Sequence, residues 1–100
     1  HRLVSPGVIE YLELSPGFSI EEVSVSEVLS GLSLEEIKLR GQHNLNIIGI
    51  KQQVSRMVKG RITTEETFNF TPKSDDVVEK GDVLVMIGQE KELDRFCNDV

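Results

Sequence analysis

Ser33-Leu34-Glu35-Glu36-Ile37-Lys38-Leu39-Arg40-Gly41-Gln42-His43-Asn44-Leu45-Asn46-Ile47-Ile48-Gly49-Ile50, answered further along by Gly81-Asp82-Val83-Leu84-Val85-Met86-Ile87-Gly88, holds the pattern that decides the fold. Ser33 and Glu36 have the spacing of a capping box: the serine hydroxyl accepts from the Glu36 amide, and the Glu36 carboxylate reaches back to the serine amide. Leu34 and Ile37 lie one turn apart, so the helix is short and packs by that edge. Gly41 supplies a left-handed residue to stop it. Leu45 to Ile50 then carries apolar residues on both parities, as a central strand does. Lys80-Gly81-Asp82 reads as a turn, and Val83 to Ile87 is an uninterrupted apolar run suited to a second central strand.

Working outward, Ser5-Pro6 has the chemistry of a helix start, with Val8, Ile9 and Leu12 on one face as far as Leu14. Ser15-Pro16-Gly17 ends that helix as a turn, and Phe18 to Val25 reads as a strand. The alternation of that strand slips at Glu21-Glu22, which predicts a bulge or a change of buried face there. Between Gln52 and Thr67, Val54, Met57, Val58 and Ile62 are separated by Arg56, Lys59, Gly60 and Arg61, the composition of a hairpin or an irregular excursion. Phe68 and Phe70 mark a short strand before Pro72. Leu93, Phe96, Cys97 and Val100 repeat at i, i+3, i+4 and i+7, the stripe of an amphipathic closing helix.

One hundred residues make one domain, and a domain this small buries only about 60 to 70% of its unfolded surface. Sharing a core between two copies would add to its stability. No apolar run approaches the ~20 residues that span a bilayer, so a membrane role requires a partner. The net charge of −6 argues against a general DNA or RNA binder, which holds phosphates with clustered Lys and Arg. The single cysteine, Cys97, has no partner for an intramolecular disulfide, and no signal-peptide pattern is present, so a cytoplasmic location is expected. The chain opens at His1 without methionine, with Leu3 and Val4 already apolar, and reads as a piece of a longer protein.

Over roughly residues 17 to 97 the order of elements resembles the TrkA C-terminal, or RCK C, family of regulatory domains in potassium channels and transporters. The resemblance rests on the short helix ending in Arg40, on Leu45-Asn46-Ile47-Ile48-Gly49-Ile50-Lys51, and on Gly81-Asp82-Val83-Leu84-Val85-Met86-Ile87-Gly88. These are low-information residue types, so order and spacing carry the likeness. It implies an α+β fold, with a mostly antiparallel sheet and packed helices, over residues 17–100. Residues 1–16 then correspond to the connecting helix that precedes the domain in many relatives. It further implies a homodimer downstream of a Rossmann-type nucleotide-binding domain, working with a membrane potassium channel or transporter subunit. No dinucleotide fingerprint occurs in this chain, because Gly49, Gly60 and Gly81 are too scattered to cradle a phosphate. The stretch from Lys51 to Phe70 is longer than the connection common in relatives.

In relatives that sense cyclic di-AMP, an arginine at the matching place contacts phosphate. Carried over, Arg40 becomes the phosphate ligand, His43 and Asn46 the polar contacts, and Leu34, Ile47, Ile48 and Pro72 the walls around adenine. The plainer reading of Arg40 is a cation at the negative end of a helix dipole, and that of His43 an exposed turn histidine. An alternative function is a dimerisation and assembly module that takes no ligand. A hydrolase built on Asp82 with Asp75 or Asp76 lacks a nucleophile, a base and an oxyanion site, so no enzyme and no cofactor is expected. Arg56, Lys59 and Arg61 form the one basic cluster, read as a solvated hairpin face balanced by Glu65 and Glu66. Cys97 reads as core filling.

Overall fold

The computed structural model describes the backbone over residues 7–41 and 45–99, and side chains over 7–38 and 45–98. Among the described residues the elements run β1 (Val8–Ser15), β2 (Phe18–Ser24), α1 (Leu34–Gly41), β3 (Leu45–Val58), β4 (Arg61–Asn69), β5 (Val83–Gln89) and α2 (Glu90–Asp99). The five strands form one sheet in the order β1-β2-β5-β3-β4, with every neighbouring pair antiparallel. The fold is therefore α+β. β5 is central because its apolar run has β2 on one side and β3 on the other.

The core lies on one face of this sheet. Leu84 and Met86 of β5, Val23 of β2 and Ile50 of β3 meet Leu34 and Ile37 of α1 and Leu93, Phe96 and Cys97 of α2. The capping box forms as its spacing predicts: the Glu36 amide donates to Ser33 Oγ at 3.2 Å and the Ser33 amide donates to Glu36 Oε1 at 3.1 Å. α1 continues through Gly41 instead of stopping before it. On α2 the stripe of Leu93, Phe96 and Cys97 is buried, while Val100 lies outside the described residues.

Two expectations are corrected. The segment expected as a connecting helix over 5–14 is a strand from Val8 onward, paired with β2 as the edge of the same sheet; Ser5 and Pro6 lie outside the described residues. Its 3–4 spacing of apolar residues arises because Val8 packs on the core while Ile9 and Leu12 face away, with a register irregularity between Val8 and Glu10. The expected slip at Glu21-Glu22 does not occur. β2 pairs in continuous register with β5, and Ser19, Glu21 and Val23 are buried in strict alternation. Glu21 thus lies on the core side of the sheet, and the irregularities belong to β1 and β3 instead.

β3 explains why its sequence is apolar on both parities. Its register against β5 shifts between Ile47 and Gly49, so Ile48 is an extra residue and Ile47 and Ile50 both face the core. At Gly49 an added Cβ would lie 2.7 Å from two ring carbons of Phe68, so the Phe68 ring occupies the space of the missing side chain. Beyond Lys51, β3 leaves β5 and continues with β4 as a two-stranded arm closed by Lys59-Gly60, both at positive φ (50° and 77°). Val58 pairs with Arg61 across that two-residue loop, the geometry of a type I′ hairpin.

Cys97 is 8% exposed on the α2 stripe. Cys97→Ala is expected to lower stability by about 0.5 to 2 kcal/mol, read by denaturant melting, and to leave ligand affinity unchanged. A large change in affinity at constant melting would place the thiol in a binding site.

Candidate functional site

The loop that carries Pro72 joins the first turn of α1, and α1 in turn lines a small notch with Leu45 and Ile47 at the start of β3. The Leu34 amide donates to the Asp76 carbonyl and the Glu35 amide to the Ser74 carbonyl, each at 3.0 Å, so the loop is stitched to the first turn of α1. On its other side the loop continues from β4, whose Asn69 pairs with Ile50 of β3. Asp76 holds the loop from within. One carboxylate oxygen, Oδ2, accepts from the Lys73 amide at 2.8 Å and from Asn69 Nδ2 at 3.0 Å, while Asn69 Oδ1 accepts from the Thr71 amide at 3.1 Å. Asn69 does not stand out in the sequence, and Asp76 does so only as one of two adjacent acids; an Asn and an Asp seven residues apart around a Pro-Lys turn was the available signal.

The sequence-predicted site residues divide into three groups. Leu34 is 3% exposed and belongs to the core, and Ile47 packs half-buried against that core. Asn46 and Ile48 are exposed at the start of β3, and Pro72 is half-buried in its loop, so these three are open to a ligand. Arg40 stands in the last turn of α1, its side chain outside those described, and His43 lies outside the described residues. Asn46 pairs with Ile87, which pairs with Ile20, placing it on the sheet face away from the helices.

Among the described residues, the interior between α1 and the start of β3 holds little space. An apolar notch lined by Ile37, Leu45, Ile47, Met86 and Phe96, with Lys38 at its edge, has a volume of about 10 Å³. That is the space of roughly one water molecule.

The open sheet face offers a broader concavity, about 710 Å³, lined by Ile9, Glu10, Tyr11, Leu12, Ile20, Glu22 and Lys51. Across its floor Lys51 Nζ donates to Glu22 Oε1 at 3.0 Å. That hydrogen bond from Lys51 to Glu22 raises the lysine pKa above its ordinary 10.5, so the ammonium stays charged through the physiological range.

The aspartates imagined as a catalytic pair have other work. Asp82 is buried and its Oδ2 accepts from the Glu79 amide at 2.9 Å and from Gln52 Nε2 at 3.4 Å, fixing the turn into β5. Asp76 is committed to the Pro72 loop. Among the described residues no cluster of three or more His, Cys, Asp or Glu is placed to hold a metal ion, and no helix is long and apolar enough to cross a membrane.

Comparison with known proteins agrees with this architecture. The model of the TrkA-C domain matches residues 19–100. Ktr system potassium uptake protein C of Bacillus subtilis (strain 168) is 29% identical over 96 residues, which is 96% of this chain and 38% of that protein. Ktr system potassium uptake protein A of the same organism is 27% identical over 97 residues, 97% of this chain and again 38% of the relative. The chain thus spans well under half the length of these relatives. Among solved structures, the RCK C domain of the potassium transport protein KtrA, in complex with cyclic diadenosine monophosphate, superposes with a TM-score of 0.65 at 30% identity, covering 87% of this chain and 88% of that one.

Proposed function

The chain belongs to the TrkA-C domain family, and on that footing we propose that it is the regulatory domain of a potassium channel or transporter subunit, binding cyclic di-AMP across the two-fold axis of a homodimer. The observation that carries the reading is the 30% identity and matching fold with a domain seen in complex with that nucleotide. The notch of about 10 Å³ between α1 and the start of β3 is too small for adenine, which favours a nucleotide held on a surface that a second copy completes.

The symmetry fits. Cyclic di-AMP is two-fold symmetric, and on a dimer axis it meets the same residues twice. Arg40 from each copy takes a phosphate, Asn46 and His43 supply polar contacts, and Ile48 and Pro72 cover the adenines, with Leu34 and Ile47 supporting them from the core. Two guanidinium–phosphate contacts contribute about 3 to 6 kcal/mol, and micromolar affinity needs about 8. The remainder comes from apolar surface removed from water, at roughly 25 cal/mol per Å². Gating then follows from differential affinity: a ligand that prefers one subunit arrangement by about 1.4 kcal/mol shifts the equilibrium about tenfold. The domain works on the cytoplasmic side, joined to a Rossmann-type domain and through it to the membrane subunit.

Because the ligand binds the dimer, it tightens the dimer. Sedimentation of the chain at low micromolar concentration is expected to show more dimer with cyclic di-AMP than without. An unchanged monomer–dimer distribution would favour the same fold acting as an assembly module that takes no ligand.

A further inference from the structure

Among the described residues, no element packs on the far part of the arm formed by β3 and β4. Beyond Lys51, seven residues of β3, Gln52 to Val58, pair only with Arg61 to Thr67 of β4. Both sides of this ribbon are almost wholly exposed. A two-stranded ribbon alone is marginal in water, and this one displays apolar side chains. Met57 and Ile62 sit directly opposite one another at its far end, 70% and 73% exposed. By strand alternation they lie on the same side as Lys51 and Phe68, the side continuous with the open face of the sheet.

Charge collects at the end of the arm, with Lys59 in the turn itself and Arg56 and Arg61, by the same alternation, on the side opposite Met57 and Ile62. Residues 54–63 carry Arg56, Lys59 and Arg61 and no acid, in a chain of net charge −6. Arg56 reaches Glu65 only at 3.7 Å, and Lys59 and Arg61 form no ion pair among the described residues. The open face of the same molecule presents the opposite chemistry. Its concavity of about 710 Å³ has an apolar floor of Ile9, Leu12 and Ile20 and carries Glu10 and Glu22, of which Glu22 is already held by Lys51. The seven free rungs extend roughly 23 Å at ~3.3 Å per residue, against molecular extents of 49 × 29 × 23 Å. An arm of that length crosses most of a neighbouring open face.

We propose that the β3–β4 arm is a dimer clasp: two copies pack open face to open face, and each lays its Met57–Ile62 rung in the partner's concavity over Ile9 and Leu12, with Lys59 of the turn against Glu10. The occupant is a second copy of this chain because the complementary surface, apolar in the middle and acidic at the side, is on the chain itself. The proposal deepens the functional reading above and rests on it for the two-fold dimer, while needing no nucleotide.

Charge reversal in trans tests it. One variant reverses the tip, Lys59→Glu; the other reverses the concavity, Glu10→Lys. Both positions are exposed, so folding should be kept, which thermal melting checks. By analytical ultracentrifugation each variant alone is expected to dimerise at least tenfold more weakly than wild type, because like charges then meet at both contacts. Mixing the two is expected to restore the dimer, because in the mixed pair both contacts are attractive. In a second arm, Met57→Cys protein is mixed with Leu12→Cys protein, both in a Cys97→Ala background, and is expected to form a disulfide between unlike copies on mild oxidation.

Variants that dimerise like wild type, or a mixture that is not restored, overturn the clasp. So does loss of binding to vesicles containing anionic lipid by the tip variant with its dimer intact, which would assign the arm to a membrane surface. The nucleotide reading is judged separately. If the tip variant dimerises normally and binds cyclic di-AMP, only the clasp fails; if charge reversal and rescue behave as expected but no protein binds the nucleotide, the clasp stands and the ligand reading fails.

Discussion

Arg40→Ala is expected to weaken cyclic di-AMP binding by about two to four orders of magnitude, the consequence of losing two charge-assisted contacts with one substitution. Arg40 belongs to the last turn of α1, whose first turn is capped by Ser33 and Glu36 and stitched to the Pro72 loop, so the helix is fixed at its other end. If each copy in the dimer presents one Arg40 to one phosphate, the loss per site counts twice. Arg40→Lys should recover only part, since a point charge does not reproduce a planar fork. Arg61→Ala, measured at a concentration where the dimer is intact, should bind like wild type. Equilibrium dialysis of the three variants at one salt concentration reads the difference, and strong binding retained by Arg40→Ala would move the site elsewhere.

The second large effect separates two residues that the sequence places in the same role. Leu34→Ala is expected to cost about 2 to 5 kcal/mol of stability, a large share of the ~5 to 15 kcal/mol that holds a domain of this kind together. Leu34 is 3% exposed and packs in the core with Ile37 and Met86. Ile48, 41% exposed, is the extra residue of the β3 irregularity and lies outside the buried core. Ile48→Ala should therefore melt close to wild type and lose ligand affinity instead. Denaturant unfolding alongside ligand binding distinguishes the two; a Leu34→Ala protein that melts normally yet binds poorly would put Leu34 at the interface.

Much of this was legible where local chemistry and burial agree. Ser33 and Glu36 specify a helix start by themselves, the run from Val83 to Ile87 specifies a central strand, and Leu93, Phe96 and Cys97 specify a helix face. The misread segments are those where the pattern had a second cause. Val8, Ile9 and Leu12 mimic a helical stripe because β1 is irregular after Val8, not because they share a face. Ile47, Ile48 and Ile50 look like a strand covered on both sides because the inserted Ile48 brings Ile50 back to the core side. Glu21 breaks the apolar alternation of β2 while remaining in register, since burial there includes a carboxylate. The arm was legible only as a hairpin or an irregular excursion, and it is a hairpin; a ribbon with no core beneath it carries no apolar alternation to narrow the reading. For the candidate site, the family resemblance singled out Arg40, Asn46, Ile48 and Pro72, of which the structure leaves Asn46, Ile48 and Pro72 accessible, while the Asn69–Asp76 hydrogen bonds that hold the Pro72 loop were not legible in the sequence.

Calorimetric titration of the wild-type chain with cyclic di-AMP bears most directly on the proposed sensor. The expected result is saturable heat at micromolar or tighter affinity with one nucleotide for every two chains, as a symmetric ligand on a dimer axis requires. A flat titration at high micromolar protein, or saturation at one nucleotide per chain, would contradict it.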